Sequence, residues 1–235
     1  MRSPQSTPPS RALQERDKTY AGIKKELSPY GVCGLDFKEL EADEKKYVKK
    51  CFKEQILPVL SPQIVDSSHP FPHLMNKDIY VTANLKHINS RKNKDDKEKE
   101  QILGIVPVPT YVSDILMLPG HDIRYIRMEK VIMEYLDLVF DQYEVSDPNY
   151  ICVTRNADVS PDDEALEVTD DFRKLMQSTL HKRRRMAVVR LETAEKLTSE
   201  MQEYFCKKFK ITPEQIFRTK MPMKLDYMFS IAGNL

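Results

Sequence analysis

Several features that commonly indicate a protein's chemistry are scarce in these 235 residues. The six glycines form no GxGxxG or GxxxxGK[ST] loop, which excludes the familiar Gly-rich phosphate cradles. No two cysteines stand in a CxxC pair, so we expect small core residues in a reducing compartment rather than a zinc site or a disulfide framework. The four cysteines are Cys33, Cys51, Cys152 and Cys206.

A dominant charge is also absent, because 37 basic and 36 acidic residues leave a formal net charge of +1. With this balance there is no overall attraction to nucleic acid or to an anionic membrane, so an anion site would have to be a local cluster. No apolar run is long enough to span a bilayer, and no signal peptide is recognisable. Together with the unpaired cysteines, these absences predict a cytoplasmic protein.

The first feature that is present is a helical region interrupted by prolines. Residues 1–10 are rich in Pro and Ser and predict a disordered tail. Apolar residues then recur at helical spacing over residues 11–27, and Pro29 ends that helix. A second amphipathic helix is predicted over residues 43–57, with Asp43 as its cap.

Residues 58–73 mark the predicted domain boundary. They hold four of the 15 prolines, and each proline fixes its own φ and extends the residue before it, so the connector is rigid. We therefore predict a helical segment over residues 11–60 and a head domain over residues 61–235. Three boundary residues are predicted to have a structural role: His69, Pro70 and Pro72.

Beyond the boundary, strand and helix patterns alternate. Residues 79–85 have the period of two of a half-buried strand, and with the charged stretch and apolar run that follow they predict a hairpin. Further strands are predicted at 122–127, 150–155 and 186–192. Helices are predicted at 128–139, at 164–182 and after capping signals at Ser199 and Thr212. The predicted fold class is α+β, with a helical N-terminal segment before a head domain whose sheet is mostly antiparallel or mixed.

Four segments carry a resemblance to a known family. They are CFKEQILPVLSPQIVDSSHPFPHLMN (51–76), YICVTRNADV (150–159), RRRMAVVRLE (183–192) and FRTKMPMKLDYMFSI (217–231). In order and spacing, these segments resemble the long-chain, ATP-dependent polyphosphate kinases. The resemblance extends over most of residues 11–231.

The resemblance implies an enzyme of four domains that moves the terminal phosphate of ATP onto polyphosphate through a phosphorylated histidine. This chain would supply the end of the N-terminal domain and the head domain, without catalytic residues, metal ligands or a cofactor of its own. ATP and Mg²⁺ are implied for the intact enzyme only. The family also implies polyphosphate as a partner and a homo-oligomer, and no nucleic-acid partner is expected.

One segment departs from the family. Relatives commonly carry an arginine in a P-R-F-I-x-L-P stretch, whereas this chain reads SDILMLP, with Asp114 in the arginine's place. The acid puts the phosphate contact at that point in doubt. It leaves a second hypothesis open, a stand-alone binding or assembly module derived from such a kinase.

The candidate phosphate ligands are arginines, because the planar guanidinium matches phosphate oxygens. Arg183, Arg184 and Arg185 either complement the dipole of the preceding predicted helix and face water, or guide phosphate at the mouth of a polyphosphate channel. Arg155, at a strand-to-turn corner, either makes structural hydrogen bonds or contacts the ligand. None of the five histidines sits among acids or arginines as a phosphate-accepting nucleophile would, and no metal site is predicted.

Overall fold

The computed structural model describes residues 9–88, 102–120, 122–156 and 186–233. Nine strands lie within these ranges: β1 (Val32–Leu35), β2 (Gln63–Val65), β3 (Ile79–His87), β4 (Ile102–Pro107), β5 (Ile115–Met117), β6 (Ile123–Arg127), β7 (Tyr143–Arg155), β8 (Val188–Thr193) and β9 (Ile216–Arg218). The α-helices of these ranges are α1 (Pro9–Leu27), α2 (Ala42–Cys51), α3 (Met128–Glu134), α4 (Leu136–Val139), α5 (Ser199–Phe209) and α6 (Tyr227–Ala232). None of them combines the length and the apolar character that crossing a bilayer requires.

The first predicted helix is confirmed, and it ends where the sequence predicts. After α1 the chain makes one 3₁₀ turn, Ser28–Tyr30, and reaches Gly31, whose φ of 78° lies in the left-handed region. Glycine adopts this conformation without strain. A side chain at Gly31 would also press on the carboxylate of Asp122, since its Cβ would lie 3.0 Å from Oδ1.

The second predicted helix is confirmed as α2, but the prediction that Asp43 caps it is wrong. Glu41 is the N-cap, and Glu41 and Glu44 accept each other's backbone N–H groups in a capping box. Residue type suggested Asp43, whereas the cap lies where the backbone changes from extended to helical. At its other end α2 continues into a π-helical turn, Phe52–Ile56.

The larger sheet has six strands in the order β2-β4-β3-β7-β8-β9. The predicted hairpin is confirmed, because β3 and β4 pair antiparallel with Leu85 opposite Ile102. β3 also pairs antiparallel with β7, with a shift of register between Thr82 and Asn84. Since β8 and β9 run parallel, the sheet is mixed, and the predicted α+β class is confirmed.

A second sheet of three strands, in the order β1-β6-β5, was only partly predicted. Residues 122–127 were predicted as a strand and form β6, but β1 lies in a stretch predicted to be helical or connecting. β1 pairs parallel to β6, with Val32 opposite Ile123. This pairing crosses the predicted boundary near residue 60, and the division into domains remains a prediction.

The six-stranded sheet is buried on both faces, because alternate residues of its strands enter two different clusters. Val81 packs with the cluster of α2 and α3, which includes Phe52. Neither Val81 nor Phe52 has any exposed surface. Tyr80, the neighbour of Val81, packs with the cluster of α5, around Phe205 and Leu74.

The prediction that residues 79–85 form a half-buried strand is therefore wrong, because Tyr80 and Thr82 on the face expected to be exposed are buried as well. In β4 the same burial on both faces matches a continuous apolar run.

Two helix predictions need correction in detail. The predicted helix 128–139 is divided at Tyr135, whose φ of −111° and ψ of 27° separate α3 from α4.

The cap of α5 is Thr198 and not Ser199, because the Thr198 hydroxyl accepts the backbone N–H of Met201 at 3.2 Å. Thr212 does cap a helical turn, but that turn is a single 3₁₀ turn before β9. The predicted helix 164–182 lies outside the described residues.

α1 is held to the rest of the protein by two adjacent side chains. Asp17 accepts the backbone N–H groups of Lys220 and Met221, each at 3.1 Å. Arg16 donates to the Thr219 hydroxyl at 2.6 Å and to Glu192 at 3.3 Å. The first helix is therefore attached to the segment that follows β9, almost at the other end of the described chain.

Two glycine-to-alanine substitutions should have opposite effects on stability. In β4, a Cβ at Gly104 would lie 2.8 Å from the Phe140 ring and 3.0 Å from Leu85. Gly104→Ala should therefore lower the free energy of unfolding by about 1–3 kcal/mol through overpacking. The control is Gly22→Ala in α1, where nothing lies within 4 Å; it should raise stability by about 0.5–1 kcal/mol. Urea denaturation measures both, and equal midpoints for the two variants would contradict this packing.

Candidate functional site

Arg155, a predicted phosphate ligand, is extensively hydrogen-bonded to backbone at the end of β7. Its Nε and one terminal nitrogen donate to the carbonyl oxygen of Leu74 at 3.0 and 2.8 Å, and the other terminal nitrogen donates to the carbonyl of Met186 at 2.7 Å. The Arg155 backbone N–H donates to the Asn76 side chain at 2.9 Å. The side chain thus connects the end of the proline-rich connector to the residue that leads into β8.

These contacts match the structural alternative for Arg155. Burial lowers the pKa of the guanidinium, and carbonyl oxygens, which are neutral acceptors, hold all three of its nitrogens. Contact between Arg155 and phosphate stays a prediction. Arg183, Arg184 and Arg185 lie outside the described residues, but Met186, whose carbonyl Arg155 binds, follows Arg185 directly in the sequence.

The boundary residue His69 belongs to a tight turn. One carboxylate oxygen of Asp66 accepts the backbone N–H groups of Ser68 and His69, at 2.8 and 2.7 Å, and lies 2.9 Å from the His69 ring nitrogen Nδ1. Pro70 and Pro72 follow, and Phe71 between them packs edge-on against Phe209 of α5, with 5.4 Å between ring centroids. The turn and this aromatic contact fix the path of the connector over the sheet.

A cavity of about 220 Å³ lies between α1, β1 and β6. We call it the lysine cavity, after Lys24, Lys130 and Lys220 in its lining. Its other lining residues are Asp17, Tyr20, Ala21, Gly34, Leu35, Asp36, Tyr125 and Arg127. Four segments far apart in sequence contribute to it: α1, the stretch from β1 to Asp36, the stretch from β6 to Lys130, and the residue after Thr219.

A buried ion pair borders the lysine cavity. The Arg127 guanidinium donates to Glu129 at 2.5 Å and to the Tyr150 hydroxyl at 3.1 Å, and both charged side chains are more than nine-tenths buried. Burial raises the pKa of the Glu129 carboxyl, and the guanidinium of Arg127 opposes that rise. A buried charge needs a partner, and here each ion supplies the other.

Lys130 combines an ion pair with a strongly lowered pKa. Its ammonium group contacts the carboxylate of Asp36, a residue with an exposed side chain. Burial of the ammonium, together with the positive charge of Lys24, nevertheless lowers the pKa of Lys130 to about 8. The cavity therefore disfavours the charge that Lys130 carries at neutral pH.

The lysine cavity leaves no dense basic run in the sequence, because its cations are single residues brought together by folding. The alternation in IRYIR does place Tyr125 and Arg127 on one face of a strand. This alternation does not indicate which distant lysines lie opposite Tyr125 and Arg127 in the folded chain. Among the described residues, no three His, Cys, Asp or Glu side chains come together in a way that could hold a metal ion.

Comparison with known proteins finds a family whose sequence profile matches this chain. The sequence profile described as "Polyphosphate kinase middle domain" matches residues 43–231. The polyphosphate kinase of Halalkalibacterium halodurans is 30% identical over 227 residues, which is 95% of this chain and 31% of that protein. The polyphosphate kinase of Pseudomonas putida is 28% identical over 193 residues, covering 80% of this chain and 25% of that protein.

A solved structure shares the fold. The crystal structure of polyphosphate kinase from Porphyromonas gingivalis superposes with a TM-score of 0.63 over 87% of this chain and 28% of its own chain, at 24% identity. The present chain spans about a third of the length of the curated relatives it matches. Because the profile covers most of the 235 residues, the resemblance seen in the sequence is confirmed: this chain belongs to the polyphosphate kinase middle-domain family.

Proposed function

We propose that this chain acts as part of a polyphosphate kinase, which transfers the terminal phosphate of ATP to polyphosphate through a phosphohistidine. The observation that supports this most strongly is the family match over residues 43–231. The chain spans 31% of the relative from Halalkalibacterium halodurans, so the reaction would need parts that lie elsewhere in such an enzyme. ATP, Mg²⁺ and the phosphorylated histidine belong, in this proposal, to those other parts.

The contribution of this chain would be architecture. Arg155 joins the connector to the start of β8, and α1 is fixed to the segment after β9 through Asp17. Contacts with other domains or subunits of a cytoplasmic homo-oligomer would add to this role.

A second contribution would be phosphate guidance. The basic cluster directly precedes Met186 in the sequence and consists of Arg183, Arg184 and Arg185. Arg155, at the end of β7, holds the carbonyl of Met186, the residue next to this cluster in the sequence. Guanidinium groups in such a cluster suit the oxygens of a polyphosphate chain.

The second candidate function is a stand-alone binding or assembly module, and Asp114 favours it. Asp114 lines a small cavity together with Glu129, and its negative charge helps to raise the pKa of the Glu129 carboxyl. Arg127 and Lys224 line the same cavity, and Arg127 pairs with Glu129. The consequence of Asp114 is therefore the loss of the arginine that relatives commonly carry at this position.

The chain by itself should not become phosphorylated. Incubated with labelled ATP and Mg²⁺, its 235 residues should acquire no acid-labile phosphate. The reason is that no described histidine lies within a set of free cations that could neutralise a transferred phosphoryl group. His69 pairs with Asp66, and His87 packs on the Tyr143 ring. His73 has one guanidinium nitrogen of Arg155 at 3.5 Å, but carbonyl oxygens already hold that guanidinium. A stable phosphohistidine on this chain would contradict the proposed division of labour.

Binding of labelled long-chain polyphosphate across a salt series tests the guidance role. We expect salt-sensitive binding that Arg183→Ala/Arg184→Ala/Arg185→Ala abolishes, because fewer cations then displace counterions from the chain. The matched control is Lys49→Ala/Lys50→Ala/Lys53→Ala, which removes three exposed charges from α2 and the turn after it. Binding that survives the arginine changes would exclude a guiding cluster. Absence of binding in the unmodified chain would leave scaffold and assembly as its role.

A further inference from the structure

We propose that the lysine cavity binds a phosphoryl oxyanion, such as the end of a short inorganic phosphate chain, through the ammonium groups of Lys24, Lys130 and Lys220. This site is separate from the Arg183 cluster, and it does not require that the chain take part in phosphate transfer. The balance of charge, the hydrogen-bond donors and the space within the cavity all favour an anionic ligand.

The lining of the cavity carries more positive than negative charge. Its cations are Lys24, Arg127, Lys130 and Lys220, and its carboxylates are Asp17 and Asp36. The Arg127 charge is balanced by Glu129 from behind, and Asp36 contacts Lys130. No described carboxylate lies within ion-pair distance of Lys24 or Lys220, and with the Asp17 carboxylate counted the lining keeps one positive charge in excess.

The carboxylate of Asp17 is already occupied. Its two oxygens accept the backbone N–H groups of Lys220 and Met221 and the hydroxyl of Thr219. Asp17 therefore serves to position the residue that carries the third ammonium group. These neutral donors leave the negative charge of Asp17 in place, so Asp17 reduces the positive charge of Lys24 and Lys220 without cancelling it.

The remaining polar groups are mainly donors. Tyr20 and Tyr125 line the cavity, and the Tyr20 hydroxyl lies 2.9 Å from that of Tyr227. Lysine ammonium groups have three donors each and no acceptor. A ligand with several anionic oxygens uses such a set better than a cation or an apolar group does. Phosphoryl groups meet this requirement with three or more acceptor oxygens.

The space is sufficient for such a ligand. One ordered water needs roughly 10–15 Å³, so a cavity of about 220 Å³ leaves room for a phosphate group with solvent around it. Gly34 contributes to this shape, because a Cβ there would lie 2.7 Å from the Tyr125 ring. A side chain at Gly34 would force that ring to move.

Charge repulsion within the cavity gives a further reason for an anion. Burial and the charge of Lys24 lower the pKa of Lys130 to about 8. An anion placed between these ammonium groups would favour their charged forms and raise that pKa. The charged groups in the lining around Lys130 are Asp17 and Lys24 of α1, Asp36 after β1, Arg127 of β6 and Lys220 after β9.

The first test is calorimetric titration of the full 235-residue chain with inorganic tripolyphosphate. Each lysine removed should weaken binding roughly tenfold, the usual effect of losing one charge-assisted hydrogen bond. Lys24→Ala/Lys220→Ala should therefore lose about a hundredfold. The matched control is Lys25→Ala/Lys207→Ala, which removes two exposed charges, one of them beside Lys24 in the last turn of α1.

The outcomes separate this proposal from the guidance role. Loss in Lys24→Ala/Lys220→Ala alone, with the control and the triple arginine variant unaffected, supports the lysine cavity. Equal loss in both lysine pairs, loss confined to the arginine variant, or no binding to the unmodified chain would overturn it. Equal affinity for tripolyphosphate and ATP would identify phosphate groups as the part recognised, whereas tighter binding of ATP would identify a nucleotide as the source of those phosphates. In each comparison the variant should have the same urea denaturation midpoint as the unmodified chain, so that weaker binding reflects the lost charge and not a loss of folding.

The second test follows the proton on Lys130. Sulfate is the probe, because its charge does not change between pH 7 and 9.5. Affinity should fall as the pH rises through about 8, since neutral Lys130 loses its attraction for the anion. Lys130→Met should bind more weakly at pH 7 and lose most of this pH dependence. An unmodified chain whose affinity for sulfate is constant over this range would remove Lys130 from the site.

Discussion

The relative position of the two sheets depends on one buried ion pair. Arg127 ends β6 of the three-stranded sheet, and its guanidinium donates both to Glu129, at the start of α3, and to Tyr150 on β7 of the six-stranded sheet. Removing either ion would leave a buried, unpaired charge, which is strongly destabilising. The orientation of α3, the spacing of the sheets and one wall of the lysine cavity therefore depend on the same guanidinium group.

Much of the fold was predictable because the strongest signals are local. The apolar alternation over residues 79–85, the charged stretch after it and the helical period of α2 each predict an element without reference to the rest of the chain. β1 was missed because four residues that include a glycine carry too little pattern, and its stability comes from pairing with β6, some 90 residues later. The caps of α2 and α5 depend on backbone geometry, which residue type alone does not specify.

The sites were less predictable than the fold, for a physical reason. Arg155 was identified from its position at a corner, but only the structure shows that its donors hold carbonyl oxygens of Leu74 and Met186. The lysine cavity is harder still, because Lys24 and Lys220 stand at opposite ends of the domain sequence. A basic cluster that exists only after folding leaves no pattern in the sequence itself. The run that begins at Arg183, by contrast, is visible in the sequence directly.

The attachment of α1 has a consequence for biosynthesis. Asp17 accepts a hydrogen bond from Met221, which is 204 residues later in the chain. A ribosome adding about 5–20 residues per second needs roughly 10–40 seconds to produce that partner after it has made α1. During this interval α1 lacks the segment after β9, and Tyr20 lacks the Tyr227 hydroxyl that lies 2.9 Å from its own. The rate of translation, and not the rate of helix formation, therefore determines when α1 is attached to the segment after β9 and when Lys220 joins the lining of the lysine cavity.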